Sequence, residues 1–402
     1  MRDPLERGGG TAWRCVPEDE DTRDESYAGL WKRLKERSPE LIGRARQRRE
    51  EVERLCGELM REEPARQLQI VREPRFHSLD LLDELLEQSH DRQLANPAEA
   101  AQLARLALRL GIACQRQRAE TVPVLARAFC LGANALRLDS RLAAADALAA
   151  RGSLFPGDPL ERALFCRTLA VLRWEQARTD EAEALLEHAV RLAVRDGLAS
   201  DAALCRLLLG LVHLETGDGD PLPALSSAWL EVDREAHPLA ALRGGLALAA
   251  VQARTGRGGR ARQILREAWA LYARVTEPRE MHRVFWWEGR ALAALGDHEE
   301  ALNLLESVRR HLLTEPSPAE AALVSIDLAR GMAASQRAAG IEGLAEELEA
   351  AFPEVPVLSL AAEGIRSLTR ESALGDAGAA VEITLWRAFR ACGLGVRPFP
   401  VT

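Results

Sequence analysis

The stretch FWWEGRALAALGDHEEALNLLESV, residues 285–308, sets two tryptophans beside arginines. Arg283, Trp286 and Arg290 stand three and four positions apart, so a helix would place them on one face. Guanidinium groups bind carboxylates through paired N–H donors, and a tryptophan supplies a broad apolar anchor. That combination suits an acidic, amphipathic segment of a partner protein. Other chemistries find little support. None of the eight histidines falls in an HExxH or HxH pattern. His213 or His237 with Cys205 is no more than a chance grouping for a metal. Cys–His and Ser–His pairs have no local signature. The glycines at 8–10 and the GRGG at 256–259 lack the strand and the Lys-Ser/Thr of a phosphate loop, and the second reads as a turn between helices. We therefore expect no enzyme, no cofactor and no metal. The Arg-rich RARQRREEVER, 44–54, is interleaved with glutamate and reads as a solvated helix without a strong apolar face.

The elements that must carry these residues are helical. The chain has 402 residues, 47% of them hydrophobic but only 4% aromatic. Alanine and leucine dominate, and both favour helices over strands. The expected class is all-α. A net charge of -8 argues against nucleic-acid binding, which needs concentrated positive surface. Seven scattered cysteines without a CxxC pair point to a reducing compartment, and hence to a cytoplasmic protein. No run of 18 apolar residues and no apolar leader occurs, so no membrane insertion is expected.

Four parts can be read along the chain. Residues 1–24, rich in Gly, Pro, Asp and Glu, are expected to be disordered. Residues 26–63 read as charged helices divided at Pro39. From 76 to 351, turn signals divide seven helical hairpins, at 76–112, 118–153, 158–196, 199–235, 237–275, 277–313 and 317–351. Residues 356–392 are expected to form capping helices before the non-helical end GLGVRPFPVT. The second helices align with one another through Ala182, Ala261 and Ala301, which gives a period of about 40. Small residues at these points allow close helix crossing, and stripes such as Ala301, Leu304, Leu305 and Val308 fill the space between.

Phe285, Gly289, Gly296-Asp297, Ala301 and Leu305 resemble the tetratricopeptide repeat, as do Leu209-Gly210, Leu169-Ala170 and Leu248-Ala249. Glu288 stands where that pattern has leucine, and the period is longer than the usual 34 or so. The resemblance implies a right-handed superhelical solenoid of stacked antiparallel helix hairpins, with the first helix of each pair lining a concave groove. In that register the groove takes Arg167 and Trp174 from the third pair and Leu207 and Leu211 from the fourth. The fifth supplies Arg243 and Arg254, and the sixth Arg283, Trp286 and Arg290. Trp286 is expected as half-exposed groove wall and Trp287 as core. Such repeats resemble scaffolds and sensor domains of bacterial regulators. The expected function is a protein-protein interaction scaffold that binds a peptide or helix of a partner. The alternatives are a sensor domain holding a small ligand in the superhelical cavity and an enzyme whose residues converge across repeats. The acidic run Glu18-Asp19-Glu20-Asp21 could occupy the groove in cis.

Overall fold

The computed structural model describes residues 42–370, apart from 45, 116–120, 156–157, 177, 218, 276–277 and 315–317, together with 384–385, 388–389 and 392. The expected disorder at 1–24, the start of the helix at 26, the acidic run at 18–21 and the GLGVRPFPVT end lie outside these residues. The chain divides between Arg61 and Glu62 into two units.

In the first unit, helix α1 covers 42–60. It carries the expected exposed pairs, Arg49 with Glu53 and Arg54 with Glu51. Within 44–54 only Val52 is buried among the described residues, as a solvated stretch requires, and an apolar stripe continues beyond it. Val52, Leu55, Cys56 and Leu59 are buried at helical spacing.

The second unit is all helix among the described residues. It begins with α2 (Pro64–Ile70) and a 3-10 turn (Pro74–Phe76), neither of which was expected. Pro64 opens α2, and Ile70, Val71 and Phe76 are buried. Seven helix pairs follow: α3 (Leu79–Arg92) with α4 (Pro97–Gln115), α5 (Thr121–Leu138) with α6 (Leu142–Gly152), and α7 (Pro159–Glu175) with α8 (Thr179–Arg195). Then come α9 (Ala199–Thr216) with α10 (Pro221–Glu231), α11 (Pro238–Arg254) with α12 (Gly258–Trp269), α13 (Pro278–Leu295) with α14 (His298–Thr314), and α15 (Pro318–Ala334) with α16 (Ile341–Ala351). A last helix, α17 (Leu358–Arg370), packs on α15 and α16. The stack is the expected all-α solenoid of antiparallel hairpins. Its last four first helices begin at 238, 278, 318 and 358, a spacing of 40.

Local chemistry accounts for these boundaries. Proline, which has no N–H to leave unpaired, opens α7, α10 and α11. Asp158 and Glu161 exchange side-chain-to-backbone bonds of 2.8 and 3.0 Å at the start of α7. Gly256 and Gly296 turn the chain with φ of 77° and 85°, a region costly for other residues. Within a pair the helices cross closely because one partner lacks a side chain. A Cβ on Gly210 would lie 2.7 Å from Leu225 Cγ, and one on Gly289 would lie 2.8 Å from Leu305 Cγ. Ala182, Ala261 and Ala301 are fully buried at such crossings. Successive first helices pack closely at α11–α13 and α15–α17, elsewhere the second helix of a pair packs on the next first helix, as α8 does on α9 and α14 on α15, and the second helices of neighbouring pairs make at most marginal contact.

Candidate functional site

Arginine on one first helix meets acid on the next, and this pattern recurs along the stack. Arg167 of α7 donates to Asp201 of α9 at 3.1 Å. Arg243 of α11 donates to Glu280 of α13. Arg283 of α13 grips both carboxylate oxygens of Glu320 on α15, at 2.8 and 3.0 Å, and reaches Glu280 at 2.7 Å. Arg243 and Arg283 are equivalent positions 40 residues apart, as are Glu280 and Glu320. The ladder is buried, and Arg243 is 0% exposed. Burial alone would raise the Glu280 carboxyl, but Arg243 and Arg283 outweigh it and hold the group down at about 2. Burial lowers Arg243. In Arg283 the same penalty is overcome by Glu320 and Glu280, so its hold on the proton is strengthened.

These positions correct the sequence reading. Seven of the nine residues assigned to an open groove are buried: Arg167, Trp174, Leu207, Leu211, Arg243, Arg283 and Trp286. The register had taken the face on which one first helix packs against the next for the face that meets solvent. Leu207 fills the space over Gly244, where a Cβ would sit 2.8 Å from Leu207 Cδ1. Trp174 lies in the main core. The two adjacent tryptophans also exchange roles. Trp286 is 5% exposed and donates its indole N–H to Asp327 Oδ2 at 2.7 Å. Trp287 is half-buried at the edge of the core.

Arg254 and Arg290 remain within reach of solvent. Arg290 lies over both tryptophan rings, 5.4 Å from the Trp286 centroid and 4.9 Å from that of Trp287. Its Nε donates to Asp327 Oδ2 at 2.7 Å. Arg330, 40 residues after Arg290, stands 3.7 Å from Asp327 Oδ1. Arg254, the last residue of α11, is exposed and makes no hydrogen bond or ion pair among the described residues. The surrounding protein dehydrates it, and Arg290 and Arg330 repel its charge, so it is lowered to about 10 although Asp327 acts the other way. Two helices, α13 and α15, thus bring two guanidiniums to one carboxylate. Arg330 and Asp327 escaped the sequence reading, although the recurrence of arginine at 290 and 330 was available to it.

The histidines offer no competing site. His213 Nε2 lies 3.0 Å from Glu183 Oε1. His282 is buried against His311, ring centroids 4.8 Å apart, and burial followed by Arg283 lowers it to about 4, so it is neutral near pH 7. No cluster of three or more His, Cys, Asp or Glu side chains arranged to hold a metal occurs among the described residues. Nor is any helix among them long and apolar enough to cross a membrane. No protein-family model matches the chain, and no curated protein matches it.

Proposed function

We propose that the chain is a non-enzymatic scaffold of tetratricopeptide-like repeats that binds a peptide or helix of a partner protein on its first-helix face. One observation carries the reading. Most arginines on this face are neutralised by the next repeat, whereas Arg254 is exposed and has no partner among the described residues. A guanidinium open to solvent on this face suits a carboxylate of an acidic partner segment. A cytoplasmic setting accords with the free thiols of Cys56, Cys114, Cys130, Cys166, Cys205 and Cys392. The test is cross-linking mass spectrometry on partners captured from lysate of the source cells by the wild type and by Arg254→Glu. Cross-links on α11, α13 and α15 that vanish in the variant support the reading. A partner held equally by both proteins, cross-linked only to second helices, defeats it.

A further inference from the structure

Of the eight large apolar side chains exposed among the described residues, Ile42 lies in the first unit and the other seven lie at one edge of the second. Ile112, Val194, Leu230 and Trp269 stand in the last turn of α4, α8, α10 and α12, and Leu154 stands in the turn after α6. Leu160 and Leu360 stand in the first turn of α7 and α17. The helices of the stack alternate in direction, so second helices end at the edge where first helices begin. The opposite edge has none of these residues. Single apolar side chains scattered over a surface are ordinary, but here one position is taken in five consecutive repeats. An exposed arginine precedes four of the five by three residues, at Arg109, Arg151, Arg191 and Arg266. Arg109, Arg151 and Arg266 make no ion pair among the described residues, and Arg191 makes only an exposed one, with Glu187 at 3.5 Å. The helix dipole accounts for arginine in a last turn, but not for the apolar residue beside it. Acids beside the row are engaged within the fold. Asp158 caps α7, Asp196 pairs with Arg195, Asp201 with Arg167, and Glu231 with Arg206. Trp269 is also held in one orientation. Its indole N–H donates to Glu288 Oε1 at 2.7 Å, and the Tyr272 hydroxyl donates to the other oxygen. Glu288 stands where the repeat pattern has leucine, so a packing position is given over to fixing an exposed ring.

We infer that this edge docks on an anionic lipid surface. The contact is peripheral, since no helix among the described residues is long and apolar enough to cross a membrane. The shape of the row favours lipid over a partner peptide. Leu154 and Leu230 are 78% and 74% exposed, so they stand out from the surface and line no cavity. Second helices of neighbouring pairs make at most marginal contact, which leaves the anchors as separate knobs, one to a repeat. A partner helix needs a continuous groove for its own apolar face. The boundary between headgroups and acyl chains accepts separate side chains one at a time, and tryptophan is favoured there. Arginines one turn behind the anchors then meet the lipid phosphates, to which guanidinium binds through paired donors. The inference is independent of the partner site above. Arg254 ends a first helix and so lies at the opposite edge, and either reading can fail without the other.

Vesicle co-sedimentation of the full chain tests the inference. One set of vesicles is phosphatidylcholine alone, and the other is roughly two parts phosphatidylcholine to one part phosphatidylglycerol, anionic as a charged leaflet is. The expected result is binding to the anionic vesicles at least about tenfold tighter than to the neutral ones, and weaker as salt is added. The double variant Leu154→Gln, Leu230→Gln keeps every charge and should weaken that binding by about tenfold. Both leucines are largely exposed, so the variant should keep the wild-type circular dichroism and melting temperature. Arg337→Gln removes an exposed charge at the opposite edge and should leave binding unchanged. Failure to sediment with anionic vesicles, equal binding to neutral ones, or indifference to the leucine variant overturns the inference. Self-association or a captured protein that the leucine variant abolishes, with no vesicle binding, gives the edge to a protein contact and overturns it too.

Discussion

Glu280→Met tests the ladder where it is deepest. The substitution keeps the side-chain volume but removes the carboxylate to which Arg243 donates. Arg243 is 0% exposed, so a buried guanidinium loses its counter-charge. Arg283 loses its 2.7 Å bond to Glu280 as well but keeps both of its bonds to Glu320, so the larger share of the damage falls on Arg243. Breaking one partner of a buried pair costs about 3–5 kcal/mol. At about 2.1 cal/mol/K per residue, the unit from Glu62 to Thr402 unfolds with about 0.7 kcal/mol/K, so the melting temperature should fall by about 4–7 °C. The pH dependence follows from the depressed carboxyl. Glu280 titrates at about 2 in the folded chain and at 4.5 as its reference value, so its contribution is fully present above pH 4.5. It fades as pH falls from there toward 2. The gap between wild type and variant should therefore be constant from pH 7 to 5 and narrow below 4.5. The double variant Arg243→Met, Glu280→Met removes both charges and should recover most of the loss, because an apolar replacement of a buried pair is often neutral. Differential scanning calorimetry at each pH measures all of this. A Glu280→Met melting temperature within 1 °C of wild type at pH 7, or a gap that widens in acid, would refute the reasoning.

Two further outcomes follow from local geometry. Gln336 has φ of 59° at the turn where the preceding repeats have Gly256 and Gly296, so Gln336→Gly should stabilise the fold by about 1 kcal/mol, read as a higher urea midpoint. A lower midpoint would show that the left-handed turn costs glutamine nothing there. Burial pushes the Cys130 and Cys205 thiols up to about 11, whereas Cys392 is exposed. Iodoacetamide at pH 8 should therefore label Cys392 first, as judged by peptide mass spectrometry, and equally fast labelling of Cys130 would contradict the packing.

The fold was legible because its signals are periodic. Alanine and glycine at close crossings, leucine stripes and turn glycines recur every 40 residues or so, and each repeat corroborates the others. Proline-led starts such as Pro238, Pro278 and Pro318 fix the phase. The short α2 went unread because it occurs once and has no repeat to confirm it. The site was legible only in residue type. Arginine and tryptophan were correctly taken as the chemistry-bearing residues of the first helices, but helical spacing alone cannot tell the face that meets water from the face that meets the next repeat. Those two faces of α13 are one residue apart: Trp286 is buried with its N–H on Asp327, and Trp287 is half-buried at the core edge. A rotation of about 100° separates neighbouring positions. An error that small moved most of the expected groove into the core.

The period itself contains the missing distinction. When an arginine and an acid recur with the repeat, each arginine finds the acid of the next first helix, and the pair is structural. Arg243 with Glu280 and Arg283 with Glu320 obey this rule one repeat apart. Arg290 and Arg330 also recur, but they share one acid, Asp327. The position equivalent to Asp327 in the preceding repeat is Trp287, so the acid is not repeated where the arginine is. Arg254 lies one turn beyond the repeated position and makes no ion pair among the described residues. Matched recurrence thus accounts for the buried ladder, and the pairing at Asp327 departs from it where α13 and α15 meet. In a repeat protein, matched recurrence of opposite charges marks a joint between repeats, and an acid that appears in one repeat alone, as Asp327 does, marks a local departure from that rule.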